Sequence, residues 1–491
     1  MKNKDQISQT LPTPLLWSLW ILAAAITFKS FNQLIADYDL WFHLFLGREA
    51  FANAAIGQID VYSFTAYGLP VINHEWLADI IMVGAYKIMG DSGLILWRWL
   101  MVLAIVLACL RLIKIRTENR LTQIFTFLCF VIVISPGISF RVQLFSYLFV
   151  LLLLNLVYST HLKTTSVWPL LSILFLIWAN IHGAFILGLL IWYIYIFEKL
   201  VFKSYKLNFS TAIVILAPVS VTLITPYEIR LWEFIYGELS NPISGQYITE
   251  WRRFSFEPRE LSFLLVFLLT WTAFLFSGKA KGLAETIVLC LASLMGFMAV
   301  RHTPLFVILT LPSVTYHFDG ALQRLKNKLP QGKPSPPIAT YISTVLLLVT
   351  AAFFLYTGMS QPWKIQTDKD PLPFQSVAFL KTNNFKGNLW TPLHWGAYAL
   401  FHLYPDIKVS IDGRWAMLYP HNVMQDNMDF AYHGTGGRWK KLLEKYGADF
   451  ALVEAGNPAI QEMSQDKNWV WGFQEDACQL LVKKELITQF Q

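Results

Sequence analysis

The sequence predicts a polytopic α-helical membrane protein of about eleven spans, followed by a C-terminal α/β soluble domain. Three observations predict it. Only 14% of the 491 residues are charged and 55% are hydrophobic, whereas a soluble chain carries about 25% charged residues. The apolar residues gather into runs of about 20, the length that crosses about 30 Å of hydrocarbon. These runs stop near residue 358, and the last stretch of about 130 residues alternates between short strand-like and helix-like segments. The 19 tryptophans and 37 phenylalanines suit a lipid-embedded chain with aromatic belts.

In chain order, the runs place spans near 15–35, 93–113, 121–138, 142–160, 166–182, 184–202, 209–226, 261–277, 283–300, 303–317 and 338–358. No small-residue cleavage site follows the first run, so it reads as a span and not as a removed leader. With Lys2 and Lys4 in the cytoplasm, the inward connections are RLIKIRTENR (111–120), HLK (161–163), EKLVFKSYK (198–206), KAK (279–281) and RLKNK (324–328). All are basic, as the positive-inside rule requires. The chain is therefore expected in the bacterial inner or plasma membrane as a multi-pass protein, with its N-terminus cytoplasmic and its C-terminal domain extracytoplasmic. The net charge of +7 is accounted for by these loops and does not indicate nucleic acid. The four cysteines show neither metal spacing nor a disulfide ladder.

Residues 1–358 thus form a transmembrane domain with a long outer loop at 36–92 and a second at 227–260. Residues 359–491 form the outer α/β domain. There GNLWTPLHWGAYALF, IKVSIDGR, ADFALVEA and CQLLVKK read as strands, and QSVAFLKTN and GRWKKLLEKYG as helices.

The polar residues that are unusual for a membrane chain all fall on the outer side. Asp37 and Asp39 follow the first span in ADYDLWFHLFLGREAF, and His74 and Glu75 (NHEWL) stand later in the same loop. Arg141 and Gln143 (SFRVQLF) open the fourth span, and Asn180 and His182 (WANIHG) join the fifth and sixth. TPYE ends the seventh span, Glu250, Trp251 and Arg252 (TEWRR) lie in the next outer loop, and Arg301 and His302 (VRHTP) join the ninth and tenth. Asp412 and Arg414 (SIDGR) are in the outer domain. Ionisable groups at membrane depth are costly and usually pair or serve a site. Independent structural pairs would scatter over both faces, so one composite outer site is the economical reading. Each member also has a plainer reading. Asp37 can cap the helix that Tyr38 to Phe51 suggests, His182 can pack between helices, Arg141 and Arg301 can snorkel, and Asp412 can be a turn aspartate.

The set fits a phosphorylated lipid with a polar head group. An acidic pair supplies a general base or holds a divalent cation such as Mg or Mn, with Asp37 and Asp39 the metal candidates. Arginines bind phosphate in bidentate fashion. Trp41, Trp76 and Trp251 can stack on sugars, and the spans can take a lipid tail. The reaction that uses these parts is sugar transfer from a polyprenyl-phosphate donor.

At this point the chain resembles the GT-C class of integral membrane glycosyltransferases. It is most similar to a widespread bacterial group of such membrane proteins. The stretches that carry the resemblance are DYDLWFHLFLGREAF, IDVYSFTAYGLPVINHEWL, WANIHGAFILG, TPYE, ITEW, RHTPLF and WGAYALFHLYPDIKVSIDGRWAMLY, over residues 37 to about 420. The resemblance implies an acidic motif in the long first outer loop, which Asp37 and Asp39 match, with Asp39 the catalytic acid. It implies one or two helices along the membrane in that loop, at 38–53 and 75–89. It implies a lipid-linked donor, and metal use that varies between branches. His74 and Glu75 are then a second acid/base or metal pair. Arg141, Gln143, His182, Glu250, Arg252, Arg301, His302, Asp412 and Arg414 are the candidates for binding substrate. A WWD-type signature is missing from the C-terminal domain, which speaks against asparagine-linked glycan transfer.

The expected function is transfer of a sugar from a polyprenyl-phosphate donor to an envelope lipid, glycan or protein acceptor at the outer face. The alternatives are a transporter and a non-catalytic envelope-assembly protein. A transporter would place its polar groups at mid-membrane, commonly between inverted repeats, and neither feature is seen. An assembly protein would tolerate Asp39→Asn.

Overall fold

The structure, a computed structural model, describes residues 11–159, 166–202, 208–239, 249–258, 260–328, 337–367 and 372–487. A helix stands at each of the eleven expected spans, from α1 (Thr13–Phe31) to Pro337–Met359. By length and composition, five of them are long and apolar enough to cross a membrane, Asp91–Arg116 and Pro337–Met359 among them. Others, such as Gln143–Tyr158 and Leu261–Phe276, are shorter apolar helices. The basic connection HLK (161–163) and the end of EKLVFKSYK lie outside the described residues, as does 240–248 of the second outer loop.

The exit of α1 is held from three sides. It stops at Phe31, earlier than the apolar run suggests, and its last carbonyls need partners. Arg98, fully buried in the helix Asp91–Arg116, supplies them. Its guanidinium donates to the carbonyls of Phe31 (2.7 Å), Gln33 (3.0 Å) and Ile138 (2.9 Å). Asn32 Nδ2 donates to Gly358 O at 2.8 Å, which ties α1 to the last membrane helix beside it. Strand β1 (Ile35–Ala36) then pairs in parallel with β2 (Gln366–Thr367), so the chain leaves its first and last helices side by side.

The long outer loop contains the two expected helices, α2 (Asp39–Asn53) and α3 (Trp76–Met89). They pack closely because Gly47 has no side chain. A Cβ there would stand 2.4 Å from the carbonyl oxygen of Asp79.

The C-terminal domain carries a five-stranded sheet in the order β4-β3-β5-β7-β6. Strands β3 (Gly387–Trp390), β4 (Ile407–Val409) and β5 (Phe450–Glu454) run parallel. Strands β6 (Trp469–Gln474) and β7 (Cys478–Lys483) continue the sheet antiparallel. GNLWTPLHWGAYALF is a strand only over its first four residues. Pro392 stops it, and Leu393–Leu403 is a helix. That helix is buried on nearly all sides, so its sequence lacks the polar face that marks a helix. At Gly396 it touches the backbone of Ile411 so closely that a Cβ would lie 1.8 Å from that carbonyl oxygen.

The outer loop and the C-terminal domain share one core. Phe45 of α2 and Tyr62 of the loop are buried with Leu400, Val409 and Phe450 of the domain. Phe64 N donates to Val409 O at 3.2 Å at the free edge of β4.

Candidate active site

Asp39 opens α2 and stands at the centre of the polar cluster. The charges that act on it are His43 from the next turn, Glu250, Glu75 and Arg301. It keeps part of its surface accessible. Burial by the surrounding protein pushes its pKa up to about 7; Glu250 and Glu75 add to this, and His43 and Arg301 oppose it. A carboxyl so placed exchanges a proton near neutrality.

Asp37 has a different place. Its Oδ1 accepts the N–H of Asp39 at 3.1 Å, which holds the turn leading into α2, while the N-cap position itself falls on Tyr38. Its other oxygen is paired with Arg141. Arg141 also holds Glu250, with Nη1 2.5 Å from Oε1. Asp37 and Arg141 therefore fix the entry of α2 to the start of the fourth membrane helix.

Glu75 and the two histidines face each other. His74 Nε2 and His182 Nε2 are each 3.7 Å from Glu75 Oε1. Burial would raise Glu75, but His74, His43, His182 and Arg301 together hold it below its usual range. Burial lowers His74, and it lowers His182 to about 4. His182 Nδ1 accepts the N–H of Ala184 at 3.2 Å and lies 2.9 Å from Ser146 Oγ. These contacts assign its proton to Nε2, toward Glu75. Asn180 is a staple: its Oδ1 accepts from Trp76 Nε1 at 2.9 Å, and its Nδ2 donates to Ile224 O at 3.0 Å.

The remaining candidates divide. Arg301 lies over the Trp251 ring at 4.4 Å and has no ion pair among the described residues. His302 packs edge-on against the same ring and is 3.3 Å from Met295 O through Nδ1. Arg252 is committed elsewhere. It bonds Ser255 (2.5 Å), Glu257 (2.9 Å) and Glu260, all within its own loop. Three buried polar atoms in this region have no hydrogen-bond partner among the described residues: Arg141 Nε, Gln143 Oε1 and His74 Nδ1.

Asp412 and Arg414 do not present their charges to the site; both are buried. Arg414 donates to both oxygens of Asp412 (2.8 and 2.6 Å) and to Asp60 Oδ1 (2.6 Å), while Tyr419 OH donates to Asp412 at 2.9 Å. Arg414 is the fork that locks the outer loop to the domain. The residue of this turn that meets the candidate acid is Gly413. A Cβ there would fall 2.3 Å from the Phe42 ring and 3.0 Å from Asp39 Oδ1.

Two features escape the sequence reading. His43 Nδ1 is 2.6 Å from Asp79 Oδ1, and Asn73 Nδ2 donates to Asp79 Oδ2 at 2.7 Å. The only sequence signal is the spacing of Asp39 and His43, one helical turn apart. The second feature corrects the expectation of a single polar face. At the opposite end of the bundle, Arg116 stacks between Tyr158 (4.6 Å) and Tyr316 (4.5 Å). Beside it, His317 Nε2 is 3.4 Å from Glu285, and Lys279 Nζ is 3.0 Å from Asp319. Structural pairs thus occupy that end of the bundle as well.

The acidic pair does not offer the ligands of a resident divalent cation: Asp37 is taken by Arg141, and among the described residues no three His, Cys, Asp or Glu side chains converge as ligands would.

Solved structures share this architecture. The oligosaccharyltransferase of Archaeoglobus fulgidus, tethered with an acceptor peptide containing the NVT sequon, aligns with a TM-score of 0.59 and 11% identity, over 89% of this chain and 69% of that one. Arabinofuranosyltransferase AftD from mycobacteria aligns with a TM-score of 0.52 and 11% identity, over 95% of this chain and 40% of that one. No protein-family model matches the chain, and no curated protein matches it by sequence. The chain shares the fold of these two transferases.

Proposed function

We propose that the chain is a membrane glycosyltransferase that moves a sugar from a polyprenyl-phosphate-linked donor to an envelope lipid, glycan or protein acceptor at the outer face. The observation that carries this reading is the pairing of a tunable acid with an uncommitted cation. Burial pushes the Asp39 pKa up to about 7, and Arg301 in the same cluster lies over the Trp251 ring and pairs with no carboxylate among the described residues. The basic connections support a cytoplasmic N-terminus, and in this reading the Asp39 end of the bundle faces outside.

In this reading the acceptor hydroxyl oxygen bonds to C1 of the donor sugar as the C1–O bond to the carrier phosphate breaks. The electron pair leaves on the phosphate, and the hydroxyl proton passes to Asp39. Arg301 stabilises the charge that develops on the phosphate. Arg141 Nε offers a donor, Gln143 Oε1 an acceptor and His74 Nδ1 a donor or acceptor according to its tautomer, and a bound head group would satisfy them. A groove of about 540 Å³ has mostly apolar walls, from Trp76, Leu176, Ile177, Leu223 and Ile224, with Asn180, Thr225 and Glu228 as its polar members, and such walls suit an isoprenoid tail. Asp37 and Arg141 keep Asp39 at its post. No step calls for a metal ion.

The test uses purified protein in lipid, a panel of polyprenyl-phosphate sugars, and release of the free carrier phosphate as the readout. Asp39→Asn is expected to lower release at least about a hundredfold, the usual share of one general base. Equal release from wild type and variant would take Asp39 out of the chemistry and leave Glu75 with His74 as the acid/base pair.

A further inference from the structure

On the far side of the NHEW turn (73–76) lies a cavity of about 200 Å³ that the proposed reaction does not use. Glu75, with His74, faces His182, while Asn73 and Trp76 of the same turn line the cavity. One face of α2 forms another wall: Leu46, Glu49, Ala50 and Asn53 stand at the spacing that shares a helix face. The outer loop adds Ile56, Val71 and an exposed rim at Ile59 and Val61. Tyr62 also stands in the wall, at 8% exposure. Its ring is met edge-on by Phe45 and Tyr404, and its hydroxyl bonds no group among the described residues. The charges around the cavity are unequal. Arg414 is spent on Asp412 and Asp60, and the oxygens of Asp79 hold His43 and Asn73. Glu49 has one ionic contact among the described residues, 3.5 Å from its neighbour Arg48, and Arg48 turns Nη1 to Phe401 O.

We propose that this cavity is a second saccharide site, which holds one neutral sugar unit of a glycan acceptor away from the reacting atoms. The inference rests on the proposed transfer reaction, with a glycan as the acceptor. The wall selects the chemical class. A sugar ring carries hydroxyls at its edge and presents an apolar C–H face. Trp76, Val61 and Val71 offer surface to that face. The Glu49 carboxylate accepts from hydroxyls, and the Tyr62 hydroxyl can both donate and accept. An anionic ligand does not suit the cavity, because Arg414 is already paired and Glu49 would repel it. A carrier phosphate therefore belongs elsewhere, which points to the acceptor and not the donor. The volume is below the roughly 300–1,000 Å³ of ordinary small-molecule sites, so it suits one ring and not a chain. Glu49 follows Asp39 by ten residues on α2, about 15 Å along the axis. The occupant is thus not the sugar whose hydroxyl reacts but a more distant unit of the same glycan. Trp76 also borders the apolar groove, so its indole separates this unit from the carrier's tail.

The first test does not need turnover. Saturation-transfer NMR on the full chain in lipid would use free glucose, galactose, mannose and arabinose, with glucuronate and glucosamine as charged counterparts. At least one neutral sugar is expected to take up saturation from the protein. Tyr62→Phe is expected to weaken its binding about fivefold, the share of one hydrogen bond. Glu49→Gln is expected to weaken it about tenfold or more, the share of a bond to a charged group. Ala50→Trp, which fills the cavity from α2, is expected to abolish it. Thermal unfolding of each variant would show that it is folded, and Tyr62→Phe, the mildest, serves if the others do not fold. Equal binding by wild type and Tyr62→Phe, a signal from glucuronate or glucosamine alone, or no signal from any sugar would each overturn the inference. Oligosaccharides of the sugar that binds would then serve as acceptors in the carrier-release assay. Tyr62→Phe should raise the acceptor KM about fivefold, and an unchanged KM would make the cavity a site for free sugar and overturn the acceptor role. The two readings fail separately. If release never depends on Asp39 but a neutral sugar binds as described, the reaction is wrong and the saccharide site stands. If release depends on Asp39 and no sugar binds, the reaction stands and the site falls.

Discussion

At the scale of single residues, the acid at the head of α2 makes two tests. The folded-state pKa of Asp39 lies near 7, above its ordinary 3.8. Between those values the folded chain binds a proton that the unfolded chain has lost, so stability falls as pH rises through that window. Asp39→Asn, which cannot ionise, should match the wild type below about pH 4 and unfold at a higher temperature than the wild type at pH 8. Melting curves of both proteins across pH check this, and a constant difference would mean that the carboxyl is not strained by burial. Gly413 makes the second test. A methyl group there overlaps the Phe42 ring and crowds the Asp39 carboxyl, so Gly413→Ala should lower carrier release by tenfold or more while leaving the domain folded, a size of effect expected from displacing a reacting group by about 1 Å. Retained activity would show that the turn is not seated on the acid. The sequence points to Asp39 because a carboxylate beside an apolar run is conspicuous. It cannot point to His43, Asp79 or Gly413, whose meaning arises only when α3 and the domain close on α2. It also overvalues Arg252, Asp412 and Arg414, because residue type alone does not reveal that a charge is already spent on a neighbour.

Among the elements, the exit of α1 is the junction on which the site depends. Arg98 gathers three carbonyls there, two from the α1 exit and one from the turn that leads to Arg141. Arg98→Met leaves those acceptors buried without donors, and a loss of about 3 kcal/mol is expected from lost hydrogen bonds of this kind. Arg98→Lys should recover part of it. Unfolding in detergent measures both, and an Arg98→Met protein as stable as wild type would deny the clamp. The helices themselves were legible, since each apolar run became one. Their ends were not: α1 halts at Phe31 because Arg98 and Asn32 take over its carbonyls, a tertiary event. The domain's helix at Leu393–Leu403 was read as strand because it is buried almost all round, and an apolar segment without a polar face carries no period to read.

In the whole molecule, the division into a membrane half and an outer half does not describe how it is held together. Phe45 and Tyr62 lie in the core of the C-terminal domain, and Arg414 reaches back to Asp60. A chain ending at residue 358 should therefore lose both carrier release and resistance of the 36–92 loop to protease. Adding residues 359–491 as a separate polypeptide should restore some of each. A protected loop in the shortened chain would show that the loop folds unaided. The sequence could not reveal this union, because its apolar contacts are few and split between segments more than 300 residues apart. The pairing of β1 with β2 has a further consequence, for the order in which the protein is made. Asp39 leaves the ribosome early, but the strand that flanks it and the glycine that covers it come from residues 366–367 and 413. The acid therefore passes most of synthesis without its cover, and the site is completed only after the last helix has entered the membrane.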